Sequence, residues 1–352
     1  MSSKLFSPLK IRDLTFKNRI FVSPMCMYSA KNGVPNNWHM VHLGTRATGG
    51  ASLVIAEATG VTPEGRISTA CLGLWNDEQM EAFKPITAFI KSQNSIPGIQ
   101  LAHAGRKGST GLDGKQLDLQ HGGWVNVAPS AIPFHDNERA PQELNASEIH
   151  DHVEAFVKAT KRALEAGFEV IELHMAHGYL MHQFLSPLTN KRVDEFGGSL
   201  ENRMRFPLMV ARAVREALPK NLPLFVRISA TDWTEGGWDE VQSAALVKEL
   251  QKLGVDFIDT STGGIISGVK IPVGPMYQVK FADYIRKETK VLTGAVGLIT
   301  TVEEAESVLQ KNEADAVLLA RILLRDPYWP LHAAKALGEK PEVPRQYLRG
   351  FN

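Results

Sequence analysis

An α/β fold, a (β/α)8 TIM barrel, is what this sequence predicts, and three observations predict it. Eight short apolar runs alternate with amphipathic stretches along 352 residues, and such a barrel needs about 250 residues. Alternating strands and helices call for a parallel sheet, which eight units can close. Polar residues of chemical interest recur at the ends of the strand runs, where this architecture gathers them. The competing arrangement is an open doubly wound sheet. Its glycine fingerprint is missing, because the first strand leads into Val22-Ser23-Pro24-Met25-Cys26 and the later Gly263-Gly264-Ile265-Ile266-Ser267-Gly268 lacks the spacing.

The elements follow in order. Residues 5–16 read as a hairpin turning at Arg12-Asp13, placed to plug the barrel floor. Strands are expected at 19–22, 53–58, 98–101, 170–174, 224–229, 257–260, 290–293 and 316–319, each an apolar run bounded by turn residues. Helices are expected at 40–48, 77–93, 146–166, 200–218, 239–253, 278–288, 301–311 and 330–337. Ser147-Glu148 opens one helix, and Gly167 and Gly254 close two others. Residues 105–145, rich in Gly, Asp, Pro and His, form a long loop after strand three; a loop of this length reads as a cap over the active face. A tail spans 341–352. One domain covering 1–352 accounts for the whole chain.

An apolar fraction of 43%, a charged fraction of 22% and a net charge of +1 describe an ordinary soluble globular protein. The absence of a basic run argues against nucleic acid as the main partner. The first residues do not resemble a signal peptide, and no apolar run approaches about 18 residues. A cytoplasmic protein without a membrane span is expected. Cys26 and Cys71 cannot frame a disulfide scaffold or an iron–sulfur site. Cys26, just past a strand, is either a site residue or a small buried hydrophobe.

The strand ends carry the chemistry. His174, His177 and Tyr179 leave strand four together. Two neutral imidazoles can donate to one oxygen, and a phenol can supply a proton. That set suits a reaction that moves charge onto a carbonyl oxygen and protonates a carbon. Strand three gives Gln100 and His103, with Arg106 and Lys107 soon after. Arg227 lies in strand five, where a buried guanidinium needs an anionic ligand or a carboxylate such as Glu57 or Glu172. Strand six ends in Ser261 and Thr262. Gly294 and Gly297 after strand seven, with Ala320 and Arg321 after strand eight, suggest a phosphate site. The His174/His177 spacing, with His39, His42 and His103, also raises a metal. No cluster of carboxylates stands at ligand spacing, so no metal is expected, and His39 and His42 read as structural.

These residues and their surroundings resemble the old yellow enzyme family of flavin-dependent ene-reductases, closest to its bacterial NADPH dehydrogenase and xenobiotic reductase class. The resemblance runs nearly end to end. It includes Lys17-Asn18-Arg19-Ile20, Ser23-Pro24-Met25-Cys26-Met27-Tyr28, Gln100-Leu101-Ala102-His103-Ala104-Gly105-Arg106-Lys107, His174 to Tyr179, Phe184-Leu185-Ser186-Pro187, Glu195-Phe196-Gly197-Gly198-Ser199 and Gly294-Ala295-Val296-Gly297. It implies that Ser23, Pro24, Met25, Cys26, Ala58, Gln100 and Arg227 surround bound FMN, and that the strand-seven turn, Ala320 and Arg321 hold its phosphate. It implies that NADPH or NADH delivers hydride to the flavin N5, which passes it to the β-carbon of an enone. His174 and His177 would hold the enone oxygen, Tyr28 would orient the substrate, and Tyr179 would protonate the α-carbon. It also implies a homodimer or homotetramer in which Arg349 reaches a neighbouring active site.

Two features depart from the family pattern. Ala320 stands where a glycine is usual, and residues 108–124 form a longer segment. Two other classes compete: a lyase or isomerase of phosphorylated substrates with His174 as base, and a noncatalytic flavin store.

Overall fold

Side chains alternate across a strand, and that period decides what each apolar run builds. The structure, a computed structural model, describes residues 3–351; the expected outer boundaries at 1 and 352 lie outside the described residues. The barrel strands are β1 (Ile20–Val22), β2 (Leu53–Gly60), β3 (Ile96–Ala102), β4 (Val170–Met175), β5 (Leu224–Ser229), β6 (Phe257–Ser261), β7 (Leu292–Ala295) and β8 (Ala316–Leu319). They pair in chain order, all parallel, and β8 closes onto β1. Outward residues such as Val22, Val54, Ile171, Val226 and Ile258 pack beneath the helices. Inward residues Phe21, Leu53, Val170, Phe225 and Phe257 fill the lower barrel. Phe225 stacks on Phe257 at 4.4 Å.

The hairpin pairs Leu9–Ile11 with Leu14–Phe16, turning at Arg12 with φ 52°. Its inward residues Leu9, Ile11 and Phe16 join the same aromatic cluster, with Phe16 4.9 Å from Phe21. The hairpin therefore plugs the floor. Above the aromatic layer the inward positions turn polar. Gln100, Glu172, Arg227 and Asp259 are each at most 6% exposed.

Local chemistry accounts for the departures from the sequence reading. The helix Ala146–Glu165 is capped by Asn145 rather than opened at Ser147. Asn145 accepts from Glu148 N–H at 3.0 Å, and the Glu148 carboxylate accepts from Asn145 N–H at 2.8 Å. Strand β7 starts two residues past the expected position because Lys290, at φ 64°, ends the preceding helix Val279–Thr289. Two short helices, Leu180–Leu185 and Arg321–Arg325, were not expected; they follow β4 and β8 at the active face. Gly167 and Gly254 sit at φ 93° and 89°, just past helix ends, as a left-handed stop requires.

The capping segment carries short turns at Gly105–Lys107 and Leu119–His121 and a small pairing of Val127–Ala128 with Gln142–Glu143. Trp124 fastens it to the loop after β2. Its indole N–H donates to Glu64 O at 2.8 Å, and Arg66 lies between the Trp75 and Trp124 rings at 5.2 and 5.1 Å. No helix among the described residues is long and apolar enough to cross a membrane.

Candidate active site

Strand parity places the polar layer. Gln100 and Glu172 are register partners on β3 and β4, and Gln100 Nε2 donates to Glu172 Oε1 at 2.8 Å. Arg227 and Asp259 are register partners on β5 and β6, with Nε 3.0 Å from Oδ2. The carboxylate beside Arg227 is thus Asp259, where the sequence offered an anionic ligand or a carboxylate such as Glu57 or Glu172. Burial raises both carboxyls, and the Asp259 charge raises Glu172 further, while Arg227 opposes the rise at each. Arg227 thus faces Asp259 as a charged partner, while Glu172 has the neutral amide of Gln100.

His174 neighbours Arg227 across β4 and β5. Beyond β4 the chain turns sharply, with His177 at φ 59° and Gly178 at φ 75°. The turn brings the three expected groups together. The His174 ring lies 5.1 Å from that of His177 and 5.0 Å from that of Tyr179. Burial, aided by the Arg227 charge, holds both imidazoles well below their ordinary range, so both are neutral. Burial pushes the Tyr179 phenol well up, so it keeps its proton.

The segment after β1 approaches from the opposite side. Glu57 accepts from Met27 N–H at 3.1 Å, and His39 Nε2 lies 3.5 Å from the other Glu57 oxygen. The register of β2 and β3 slips between Ala56 and Thr59, so Glu57 and Ala58 sit at an irregularity. These contacts fix the stretch that bears Cys26 and Tyr28, the latter at φ 48°. Burial and the Glu57 charge push the Cys26 thiol well up, so it is a thiol and not a thiolate.

Two cavities open here. One, of about 210 Å³, is lined by Tyr28, Tyr179, Arg106 and Lys107 and roofed by Leu112 and Phe134 of the capping segment. The other, of about 300 Å³, lies between the ends of β5 to β8. It is lined by His177, Arg227, Ser261, Gln278, Gly297, Ala320 and Arg321, with no carboxylate among its lining residues. Two guanidiniums, hydroxyls and an amide without an acid form a donor set that fits a phosphate-bearing group.

The NADH:flavin oxidoreductase / NADH oxidase family matches residues 4–340. The chain belongs to this family. It is 48% identical over 353 aligned positions to NADPH dehydrogenase of Geobacillus thermodenitrificans, covering 100% of this chain and 99% of the relative. It is 48% identical to NADPH dehydrogenase of Bacillus velezensis over the full length of both chains. The structure is similar to an old yellow enzyme homologue from Zymomonas mobilis (TM-score 0.80, 28% identity, 97% and 96% of the two chains). It is also similar to morphinone reductase in complex with tetrahydroNAD (TM-score 0.78, 28% identity, 97% and 92%). The chain is an NAD(P)H-dependent flavin oxidoreductase with FMN as its cofactor.

The structure of this flavin oxidoreductase corrects individual expectations. Gly294 does not line the cationic cavity. It lies within β7, where a Cβ would meet Leu318 at 2.2 Å and Phe257 at 2.8 Å, so it makes room for the barrel core. Gly297, at φ 126°, lines the cationic cavity. Ser23 is buried at the end of β1, and its N–H donates to Leu319 O at 3.0 Å. Pro24 and Met25 are half-buried beyond it. Gln100 has committed its amide N–H to Glu172, which leaves its carbonyl oxygen for a ligand. Arg349 is exposed on the turn Arg345–Gly350 and lines neither cavity.

Lys107 plays a part the sequence did not reveal. Its ammonium donates to His177 O at 2.8 Å and Gly264 O at 2.9 Å, and lies 5.2 Å over the Tyr179 ring. Burial lowers it to about 8. One group of described residues could gather a metal: Glu64, His103 and His152, with ligand atoms within 4.8 Å of one another. Gly105 N–H donates to His103 Nδ1 at 3.1 Å, so the His103 proton sits on Nε2. His152 Nδ1 faces the Glu148 carbonyl at 2.7 Å and donates to it, which leaves its Nε2 an acceptor. With its proton on Nε2, His103 turns no lone pair toward the other two, so the three are not a ligand set.

Proposed function

We propose that this protein is an ene-reductase that passes hydride from NADPH or NADH to the β-carbon of α,β-unsaturated carbonyl compounds, with nitro compounds as a second acceptor class. The observation that carries the reading is the cluster of two neutral imidazoles and one protonated phenol at His174, His177 and Tyr179. Bound FMN supplies the hydride relay.

The protein supplies the rest. His174 and His177 donate to the substrate oxygen and polarise the alkene. Tyr179 delivers the proton to the α-carbon. Tyr28, exposed at the mouth of the smaller cavity, orients the substrate. Arg227, held by Asp259, offers a fixed positive charge toward the reduced cofactor. Arg321 and the Gly297 turn hold the phosphate. The reading extends to a cytoplasmic homodimer or homotetramer in which Arg349 serves a neighbouring site. The whole chain is taken as one FMN-binding unit.

The test is an anaerobic visible spectrum with NADPH and then cyclohexenone added in turn. Flavin bands that bleach and then return support both half-reactions. A colourless protein that takes up no flavin overturns the proposal in favour of a lyase. Bleaching without return under the enone removes enones as the acceptor class.

A further inference from the structure

The turn that carries His177 is not a relaxed one. A histidine at φ 59° lies in the left-handed region, and a non-glycine residue stays there only when its surroundings hold it. Three hydrogen bonds do so. His177 N–H donates to Ser229 Oγ at 2.9 Å, Lys107 donates to His177 O at 2.8 Å, and Gly178 N–H donates to His182 Nδ1 at 2.9 Å. A Cβ on Gly178 would stand 2.0 Å from Gly264 O, so the turn also lies backbone against backbone on the loop after β6.

The bond to His182 carries information about a proton. A ring nitrogen that accepts an N–H presents a lone pair, so the His182 proton is on Nε2. That nitrogen is 2.9 Å from Asp232 Oδ1, and both side chains are fully buried. The approach is off the line of a straight hydrogen bond, so the contact is a close electrostatic one. Asp232 cannot turn away, because its Oδ2 accepts from Ser186 Oγ at 2.6 Å and Trp238 N–H at 2.7 Å. Burial pushes its carboxyl up, but His182, Ser186 and the Trp238 N–H outweigh that and hold it below its ordinary value, so it stays ionised.

We propose that His182 and Asp232 are positioning residues for the substrate-oxygen site: Asp232 selects the His182 tautomer, and His182 then grips the Gly178 peptide that aims His177. The opposite tautomer would set N–H against N–H at Gly178 and leave two buried donors facing each other. The inference rests on the proposed role of His177, and its test separates the two.

Two variants and one spectrum decide it. His182→Asn keeps an acceptor at the same distance along the side chain, whereas His182→Leu fills the space without one. In flavin-loaded protein, binding of para-hydroxybenzaldehyde is read from the flavin spectrum. The leucine variant is expected to bind it about tenfold more weakly, since an unpaired buried N–H costs about that factor, and to melt lower because Asp232 loses a partner; binding is therefore compared well below both melting temperatures. The asparagine variant is expected to recover most of the loss. Equal impairment of both variants, or tight binding by the leucine variant, would reduce His182 to packing and overturn the proposal. Proton–nitrogen NMR of histidine-labelled protein, without flavin or ligand, is expected to show His182 protonated on Nε2; protonation on Nδ1 overturns the relay whatever the enzyme reduces. If the parent protein with an Nε2-protonated His182 binds no phenol, the site reading falls, and the relay's purpose with it.

Discussion

His177 Nε2 lies 2.7 Å from Ser261 Oγ, joining the turn after β4 to the last residue of β6. Ser261 Oγ is 3.4 Å from Gln278 Oε1, to which its hydroxyl donates, so it accepts from His177 Nε2–H. The ring is thereby poised with a donor nitrogen, and on the proposed reading an incoming carbonyl oxygen would replace Ser261 as its acceptor. Replacing His174 or His177 with alanine is expected to slow enone reduction by about 10²–10³, as for loss of one preorganised donor. Flavin reduction by NADPH should fall less. Stopped-flow traces of the two half-reactions measure both, and unchanged enone turnover in both variants would remove these residues from the oxygen site.

Tyr179 keeps its hydroxyl proton and stands 5.0 Å, ring to ring, from His174. Tyr179→Phe preserves the packing and deletes the proposed acid. Enone saturation is expected to drop by about 10²–10⁴. Reduction of an acceptor that needs no carbon protonation, such as a quinone, should proceed as in the parent. An equal loss with both acceptors would assign Tyr179 to positioning.

Asp259 is fully buried and serves as the counter-charge of Arg227. Asp259→Ala leaves a guanidinium alone in the barrel. Urea unfolding should show a loss of about 3–5 kcal/mol. Asp259→Leu combined with Arg227→Met should recover most of that stability while weakening flavin retention. A single variant as stable as the parent would mean that Arg227 finds another partner.

The pH dependence has a definite sign. His174 is held neutral when folded but takes up a proton when unfolded, below about pH 6.5. The unfolded state then binds more protons, so this ring's contribution is complete above that value and shrinks as pH falls toward the folded pKa. Between about pH 7 and pH 5 it costs at most about 2 kcal/mol. His174→Asn, which cannot titrate, should show a flatter decline in chemical-denaturation stability over the same range. Identical slopes would place a charged imidazole in the folded protein.

Arg349 lies exposed on the tail and lines neither cavity of its own chain. Removing residues from Arg345 onward should raise the KM for enones or change the sedimentation of the assembly. A truncated protein identical in both would show that the tail plays no part in a shared site.

Much of this was legible in the chain. The runs Leu224–Ser229 and Ala316–Leu319 are apolar, bounded by turn residues, and appear with the bounds expected of them. The plug was legible because hydrophobic residues flank a polar Arg12-Asp13 turn. Lys290 was not, since a lysine in a left-handed helix stop leaves no glycine to mark it. The packing part of Gly294 was not legible, because a glycine at a strand end looks the same whether its missing side chain opens a cradle or admits Phe257 and Leu318. The Arg227 partner depends on the register of two neighbouring strands and the His182–Asp232 contact on a helix meeting a loop, and sequence spacing carries no trace of which carboxylate the closed sheet delivers. His39 read as a plain helical histidine; its ring facing Glu57 appears only once the helix is laid against β2.

Trp124 gives the capping segment a built-in optical signal. Its indole is bonded to Glu64 O and stacked against Arg66, so it reports whether the segment is seated on the barrel. Separation from that seat exposes the ring to water and shifts its emission to the red. With a Trp124→Phe variant to subtract the other five tryptophans, fluorescence would show whether the segment leaves its seat during turnover.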